Sequence, residues 1–571
     1  MNTRTPRPNP WLCVSPYALP RHPASVSLRL DGNEGIAPPQ ALLERLDELT
    51  PESFQRYPSP APLEAKLAQT FGLEPERVLV SAGGDEGLMR MCRAFLGPGR
   101  NLIFPEPSFE MIRRFAEGTQ CEVRTLPYPK EGYPTDAVIA AADSDTALVA
   151  VVSPNNPTGG VIEPEALKRL SKALPQAMLM VDLAYGEFAD TDLTACALEL
   201  PNALVFRTFS KARGLAGLRV GYVMGEAPWI RALRSVGLPY PASASALHLA
   251  QASLDDAQGL QDALSRTKGV RNRLRQALSE SGAEVYPSQG NFVFVRGVDG
   301  VWWRDAMASL GIAIRAWPGS ESLQDAVRIS CPPSDATCSE VCEALEVITK
   351  PEALLFDLDG VLADVSASYR QAIIKSAAEF GVEATQADIE AIKAEGDANN
   401  DWVVTQRLLE HAGVSVSLDA VKARFEAHYQ GSEGSAPLYL SERFIGERET
   451  LAELAKRFPL GIVTGRPRED AERFLRSLDI EAYFQVLVTM EDAAIKPSPE
   501  PVQLAMRTLG VTRAWMLGDT PDDIVAARKA GVLALGVLAP GAPKISTTQS
   551  LLNAGAARVF EQWDDLKERL A

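Results

Sequence analysis

The sequence predicts an α/β protein with two separate sheets, each covered by helices. Two observations predict it. Apolar strand-like runs alternate with helical patterns, the signature of strand–helix–strand units. That alternation also occurs twice, ending near residue 350 and then restarting. The first series is RVLVSA, NLIFPEP, TALVAVVSP, AMLMVDLAY and ALVFRTFS; the second is EALLFDLDG, FPLGIVTG, FQVLVTM, AWMLGDT and LALGVL. At 571 residues the chain has room for about three to four domain-sized units. From Ser366 to about Glu449 the pattern turns helical and charged, as in SYRQAIIKSAAEFGV and DWVVTQRLLEHAG. That block interrupts the second series and reads as an inserted helical cap.

Composition excludes several classes. Hydrophobic residues make up 46% and charged residues 23%, the balance of a soluble globular protein. A net charge of −17 with no basic stripe argues against a nucleic-acid partner. No apolar run reaches the roughly 18 residues of a membrane span. The Pro-rich N-terminus, MNTRTPRPNPWLCVSPYALP, lacks the apolar segment of a secretory signal. Seven scattered cysteines and four histidines offer no zinc spacing and point to a reduced, cytoplasmic compartment.

Polar groups gather at strand ends. SPNNPTGG follows one buried run, Asp182 closes another, and SAGGDEG passes through glycines into a helical pattern. Lys211 sits in TFSKARGLAGLRVGY among small and apolar neighbours, an odd place for a solvated cation. Loops at the carboxyl ends of parallel strands are where such sheets build sites. A glycine turn that opens a helix presents free N–H groups to a phosphate.

Nine segments extend the pattern in order over about residues 15–345: DGNEG, RYPSP, SAGGDE, FPEPSF, SPNNPTG, VDLAY, TFSKARGLAGLRVGY, PSQGNFVFVR and VRIS. Together they resemble the fold-type-I pyridoxal-phosphate enzymes, and most closely the histidinol-phosphate aminotransferases. The resemblance implies a large mixed-sheet domain with a small α/β domain. It makes Lys211 the lysine that holds the cofactor covalently and shuttles the substrate α-proton. Asp182 pairs with the pyridine nitrogen, Tyr185 and Asn156 bond the ring oxygen, and Phe109 stacks on the ring. The backbone of Gly84 and Asp85, the hydroxyls of Thr208 and Ser210, and Arg219 hold the phosphate. Tyr57 reaches that phosphate from a second subunit, which makes the enzyme at least a homodimer; core packing is the alternative for Tyr57. Arg328 holds an anionic group of the small-molecule substrate, with Tyr17, Asn33 and Asn291 on the substrate side.

The sequence also departs from that family. Leu183 stands where Glu is usual, Arg213 where an aromatic residue is usual, and Gly35 where Pro is usual, and CPP follows VRIS. These changes spare the chemistry but loosen the tie to histidinol phosphate. An inward Arg213 favours an anionic substrate; an outward one is merely solvated. A threonine-phosphate decarboxylase-like or aromatic aminotransferase activity is the alternative.

The second series carries DLDGV, VTG, IKPSPEP and GDTPDD at strand ends. In this order they resemble the haloacid dehalogenase-like hydrolases over about residues 353–571: a Rossmann-like core with a helical cap. The resemblance makes Asp357 the nucleophile and Asp359 the general acid and base. Thr464 and Lys496 bind phosphate oxygens. Clustered carboxylates need a cation, so Mg²⁺ is expected on Asp357, Asp519 and the backbone of Asp359, supported by Asp523. A second aspartate followed by Gly-Val favours a phosphatase over a dehalogenase or a transport ATPase.

The expected division is therefore an N-terminal arm with part of the small domain (1–44), a cofactor-binding large domain (45–250) and the small domain (251–350). A hydrolase core (351–368 and 450–571) with its cap (369–449) follows. A half that only binds or scaffolds is the competing reading, and the intact Lys211, Asp182, Asp357 and Asp359 weigh against it.

Overall fold

A computed structural model describes residues 19, 21–394 and 400–570. The chain falls into two compact units. The first holds residues 19, 30–300 and 314–341; the second holds 21–29, 301–313, 342–394 and 400–570.

The first unit is organised by a seven-stranded sheet. Its order is Val78–Ser81, Gly221–Gly225, Ala203–Thr208, Met178–Asp182, Thr146–Val152, Asn101–Glu106 and Glu122–Pro127. The three strands Thr146–Val152, Met178–Asp182 and Ala203–Thr208 are buried along their whole length. Helices cover both faces, which is why these strands read as unbroken apolar runs. One strand breaks the parallel pattern: Gly221–Gly225 runs antiparallel to both neighbours. It follows Ala203–Thr208 after only the Lys211 loop. A return that short has no room for a crossover helix, so the chain comes back antiparallel.

A second sheet in the order Leu28–Leu30, Ile312–Ala316, Val327–Ser330, Phe292–Arg296 and Glu284–Val285 completes the aminotransferase-like region. Its antiparallel register sets Arg315 opposite Arg328.

In the second unit six strands lie in the order Val486–Val488, Leu460–Val463, Ala353–Phe356, Ala514–Gly518, Leu533–Val537 and Val559–Phe560, all parallel. Ala353–Phe356 is central. The loops after it and after its two neighbours therefore open at one edge, where such sheets build sites. Helices Tyr369–Glu379, Gln386–Ala394, Asp401–His411 and Leu418–Tyr429 form the cap. The chain leaves the core through Ala363–Asp364 and returns through Arg443–Phe444, and these two segments pair antiparallel.

Candidate functional sites

The first site is a cavity of about 570 Å³ at the carboxyl ends of the large-sheet strands. Gly84, Asp85, Phe109, Asn156, Asp182, Tyr185, Thr208, Ser210, Lys211, Arg219 and Arg328 all line it. Lys211 lies in the turn after Ala203–Thr208; its Nζ donates to the Gly32 carbonyl at 3.1 Å and sits 5.6 Å from the centre of the Tyr185 ring. Asp182 ends its strand and accepts the Ala184 amide at 3.0 Å. Burial pushes the Asp182 carboxyl up to about 7; Asp85 adds to the shift, and the Ala184 amide and Lys211 oppose it.

The phosphate-like corner is built from three elements. The helix Gly83–Phe95 starts directly after strand Val78–Ser81. Gly83 takes φ +77°, and a Cβ there would lie 2.5 Å from Arg219 Nη2, so only glycine lets the helix N-terminus approach the arginine. Arg219 Nη2 donates to the Asp85 carboxylate at 3.1 Å, and Thr208 Oγ1 donates to Ser210 Oγ at 2.9 Å. Backbone amides, two hydroxyls and a guanidinium thus meet at one corner, a donor set that fits a phosphate dianion. With Asp182 and Lys211 at the opposite polar points, the residues present fit pyridoxal phosphate.

Sequence reasoning missed Arg315. It lines the same cavity, its guanidinium lies 5.4 Å from the Trp317 ring centre and 3.6 Å from Glu110, and its Nη1 is buried without a hydrogen-bond partner. Beside it, Arg328 donates to Asn156 Oδ1 and to the Asp31 carbonyl, each at 2.6 Å. Only the strand register brings the two arginines together.

Other expected contacts fall elsewhere. Asn33 and Asn291 are buried and do not line the cavity. Asn33 Nδ2 donates to Tyr185 Oη at 3.1 Å, while Asn291 Nδ2 donates to the carbonyls of Asn33 and Glu34 at 3.2 and 3.0 Å. Asn33 thus holds Tyr185, and Asn291 holds the backbone of Asn33 and Glu34. Tyr57 lies off the cavity. It is 81% exposed and stacks on Tyr240 at 4.7 Å, so core packing is not its role. Tyr17 lies outside the described residues. Arg213 points neither into the cavity nor to free solvent: it donates to the Ser253 carbonyl at the end of helix Ala244–Ser253. Leu183 packs in the core. Gly35 lies so close to Lys211 that a Cβ would meet the Lys211 carbonyl oxygen at 1.7 Å.

The second site lies at the edge of the parallel sheet. Carboxylate oxygens of Asp357, Asp519 and Asp523 lie within 4.8 Å of one another. Lys496 Nζ reaches Asp357 Oδ1 at 2.7 Å, Asp523 Oδ1 at 2.5 Å and the Val463 carbonyl at 3.0 Å. Asp523 also caps helix Pro521–Lys529, accepting from Thr520 Oγ1 at 2.7 Å. Thr464 directly follows strand Leu460–Val463 and is buried. Burial pushes the Asp357 carboxyl up to about 7, with Lys496 opposing and Asp523 and Asp359 adding. Burial, then Asp523 and Asp357, hold Asp519 well above the usual carboxylate range. Two buried carboxylates and one half-buried one, Asp519, repel one another and fit a divalent cation with oxygen ligands. Gly360 takes φ +78°, and a Cβ there would lie 2.2 Å from Asp519 Oδ2, which explains the glycine of DLDGV. The Asp359 side chain stands apart from this cluster. Its Oδ1 accepts from Arg466 Nε at 2.5 Å, so only its main chain is left for the cation.

The sheet, the lysine and the buried aspartate define the first unit as a pyridoxal-phosphate aminotransferase. Residues 27–345 match the family described as aminotransferase class I and II, and the chain belongs to that family. Residues 354–537 match haloacid dehalogenase-like hydrolases. The chain is 34% identical over 276 residues to a histidinol-phosphate aminotransferase of Paracoccus denitrificans, covering 48% of this chain and 75% of that one. It is 32% identical over 329 residues to a histidinol-phosphate aminotransferase of Haloferax volcanii, covering 56% and 89%. A Phytophthora nicotianae protein named imidazoleglycerol-phosphate dehydratase is 50% identical over 197 residues, 33% of this chain, and the chain spans 44% of that relative's length. The crystal structure of histidinol-phosphate aminotransferase from Sinorhizobium meliloti in complex with pyridoxal-5'-phosphate superposes with a TM-score of 0.53 at 27% identity, covering 56% of this chain and 90% of that one. The two family resemblances and the α/β fold class expected from the sequence are borne out: a transferase region and a hydrolase region share one chain. No helix among the described residues is long and apolar enough to cross a membrane.

Proposed function

We propose that the first site transaminates a phosphorylated amine such as histidinol phosphate, and that the second is a Mg²⁺-dependent phosphatase. One observation carries the substrate reading. Arg315 and Arg328 face each other across paired strands and line the cavity that holds Lys211, with a buried donor of Arg315 unspent. Two cations suit a dianionic phosphate end better than a single carboxylate. The names of the Paracoccus and Haloferax relatives support the same substrate, and with it a place in histidine biosynthesis.

Pyridoxal phosphate, when bound, supplies an electron sink for the substrate carbanion. Lys211 Nζ holds it and moves the α-proton. Asp182 keeps its ring nitrogen protonated, Asn156 and Tyr185 bond its ring oxygen, and Phe109 covers its face. Gly84, Asp85, Thr208, Ser210 and Arg219 bind its phosphate.

In the second site Asp357 attacks phosphorus while Asp359 gives its proton to the leaving oxygen, then takes one from water. Thr464 and Lys496 hold the phosphoryl oxygens. Asp357, Asp519 and the Asp359 main chain, supported by Asp523, would hold Mg²⁺, which would offset the charge of nucleophile and phosphate.

The active form is a homodimer in this reading. Leu43, Leu46, Phe54, Tyr57, Leu238 and Tyr240 are six of the ten exposed large hydrophobic side chains among the described residues and fall in two short segments of one unit, which supports a covered face there. Seven cysteines scattered without a disulfide-framework spacing support a reducing, cytoplasmic setting.

The two reactions are consecutive in this proposal, since dephosphorylation of histidinol phosphate uses the product of the transamination. The helix Asp335–Thr349 and strand Ala353–Phe356 are separated by three residues, 350–352. A link that short sets an effective concentration on the order of millimolar. Supplying imidazole-acetol phosphate with glutamate should yield both inorganic phosphate and the amino alcohol. Accumulation of histidinol phosphate, while the same preparation hydrolyses another phosphoester, defeats the sequential reading. Borohydride should fix the cofactor to Lys211; a labelled peptide elsewhere defeats the cofactor assignment.

A further inference from the structure

Arg466 lies two residues beyond Thr464 in TGRPRED and is 1% exposed. Its Nε donates to Asp359 Oδ1 at 2.5 Å, and its Nη1 donates to Glu442 Oε2 at 2.9 Å. The guanidinium is packed 4.7 Å from the Tyr369 ring centre and 5.4 Å from that of Phe474. The planar fork spans two carboxylates at once, which a lysine ammonium on its flexible stem does not do with the same geometry.

The two carboxylates come from different parts of the unit. Asp359 belongs to the core motif. Glu442 immediately precedes Arg443–Phe444, the segment by which the cap returns to the core. Its other oxygen accepts from Ser368 Oγ at 2.8 Å and Tyr429 Oη at 3.0 Å. Ser368 immediately precedes the first cap helix, Tyr369–Glu379, and Tyr429 ends the last, Leu418–Tyr429. The start of the first cap helix, the end of the last and the return segment therefore meet on Glu442, and Glu442 meets Arg466.

A purely structural arginine at this depth normally has its donors satisfied. Arg466 Nη2 is buried without a hydrogen-bond partner. The side chain is committed to aiming two carboxylates rather than to satisfying itself. We propose that Arg466 is the positioning residue for the Asp359 carboxyl, and that Glu442 makes this position depend on a seated cap. The inference rests on the phosphatase reading of this site.

The consequence is chemical. During transfer an Asp357 oxygen bonds phosphorus as the bond to the ester oxygen breaks, and that oxygen takes the Asp359 proton. A poor leaving group needs the proton and a good one does not. Misplacing Asp359 therefore penalises poor leaving groups selectively, whereas a fold defect penalises all substrates alike.

The test compares kcat/KM for phenyl phosphate and p-nitrophenyl phosphate, a quantity that reports steps through the first irreversible transfer. Arg466→Lys keeps a cation between the two carboxylates but loses the fork. It should lower the phenyl to p-nitrophenyl ratio of kcat/KM by about a hundredfold, the usual size of a general-acid contribution. Glu442→Gln, which leaves Arg466 in place, should shift the ratio in the same direction by a smaller factor; it carries the test if the lysine variant fails to fold by circular dichroism. An unchanged ratio in the folded variants, including an equal loss on both substrates, overturns the positioning role alone. Absence of Mg²⁺-dependent hydrolysis of either ester by the wild-type chain overturns the phosphatase reading and this inference with it.

Discussion

Replacing Asp182 with Asn tests the cofactor site without changing its shape. Asp182 is 6% exposed, and burial raises its carboxyl from 3.8 to about 7. A raised carboxyl pKa means that the folded chain binds the proton more tightly than the unfolded chain. The resulting stability is fully present below the unfolded value of 3.8. It is lost as pH rises toward 7, and the penalty levels off above that. With those two values the cofactor-free protein should lose about 3 kcal/mol between pH 5 and pH 8 from this residue alone. Asn mimics the neutral acid, so D182N should lack that component. Urea unfolding of both cofactor-free proteins across this range, with the transition of the first unit followed, reads the difference. Loading pyridoxal phosphate should flatten the wild-type curve, because a protonated ring nitrogen stabilises the ionised carboxylate. D182N should bind the cofactor more weakly and lose most transamination. Parallel pH profiles for the two cofactor-free proteins would refute the burial argument.

Arg315→Ala should raise KM for histidinol phosphate by about 10- to 100-fold while sparing an unphosphorylated aromatic amino acid, the size of one charge-assisted hydrogen bond; equal losses on both, read from steady-state kinetics, contradict the assignment. Asp357→Asn should abolish phosphate release while transamination survives, and chelation should do the same to the wild-type protein; phosphatase activity that resists chelation excludes the metal-assisted mechanism. Gly360→Ala forces a Cβ to within 2.2 Å of Asp519 at φ +78°. It should destabilise the second unit by about 1–3 kcal/mol, as measured by denaturant unfolding, and lower phosphatase turnover.

What the sequence reveals depends on burial and on distance along the chain. Strands such as Thr146–Val152 and Leu533–Val537 are covered on both faces, so their side chains form continuous apolar runs that stand out. Glu122–Pro127 is an edge strand of exposed and half-buried residues, EVRTLP, and carries no such run. Gly221–Gly225 begins and ends in glycine, and Val559–Phe560 is only two residues long. The site residues were legible where one loop supplies them, as with Thr208, Ser210 and Lys211 or Asp357 and Asp359. Arg315 was not, because its partner Arg328 lies on another strand and only the register joins them. Glu442 meets Asp359 only through Arg466, and no local pattern links a cap-return residue to a core motif. Asn33 and Asn291 read as substrate contacts from the family resemblance alone, yet the Asn33 amide bonds Tyr185 and the Asn291 amide bonds the Asn33 and Glu34 carbonyls.

Both units fold around a deficit of positive charge. In the first, the Ala184 amide and Lys211 oppose the shift of Asp182, and the carboxyl still rises to about 7. In the second, Lys393 and Arg370 of the cap oppose the shift of Asp519, and Lys496 opposes that of Asp357, yet both carboxyls stay raised. Burying an uncompensated carboxylate is costly, so a site kept only for structure gains from losing the charge. Asn at either position would remove it with little change of shape. The charges retained are those that a cationic ring nitrogen and, in the proposed phosphatase, a divalent metal ion would complete. Each ligand then lowers the free energy of its own unit by binding the folded form. That coupling gives each half of the chain a separate signature of occupancy, whichever substrate it turns over.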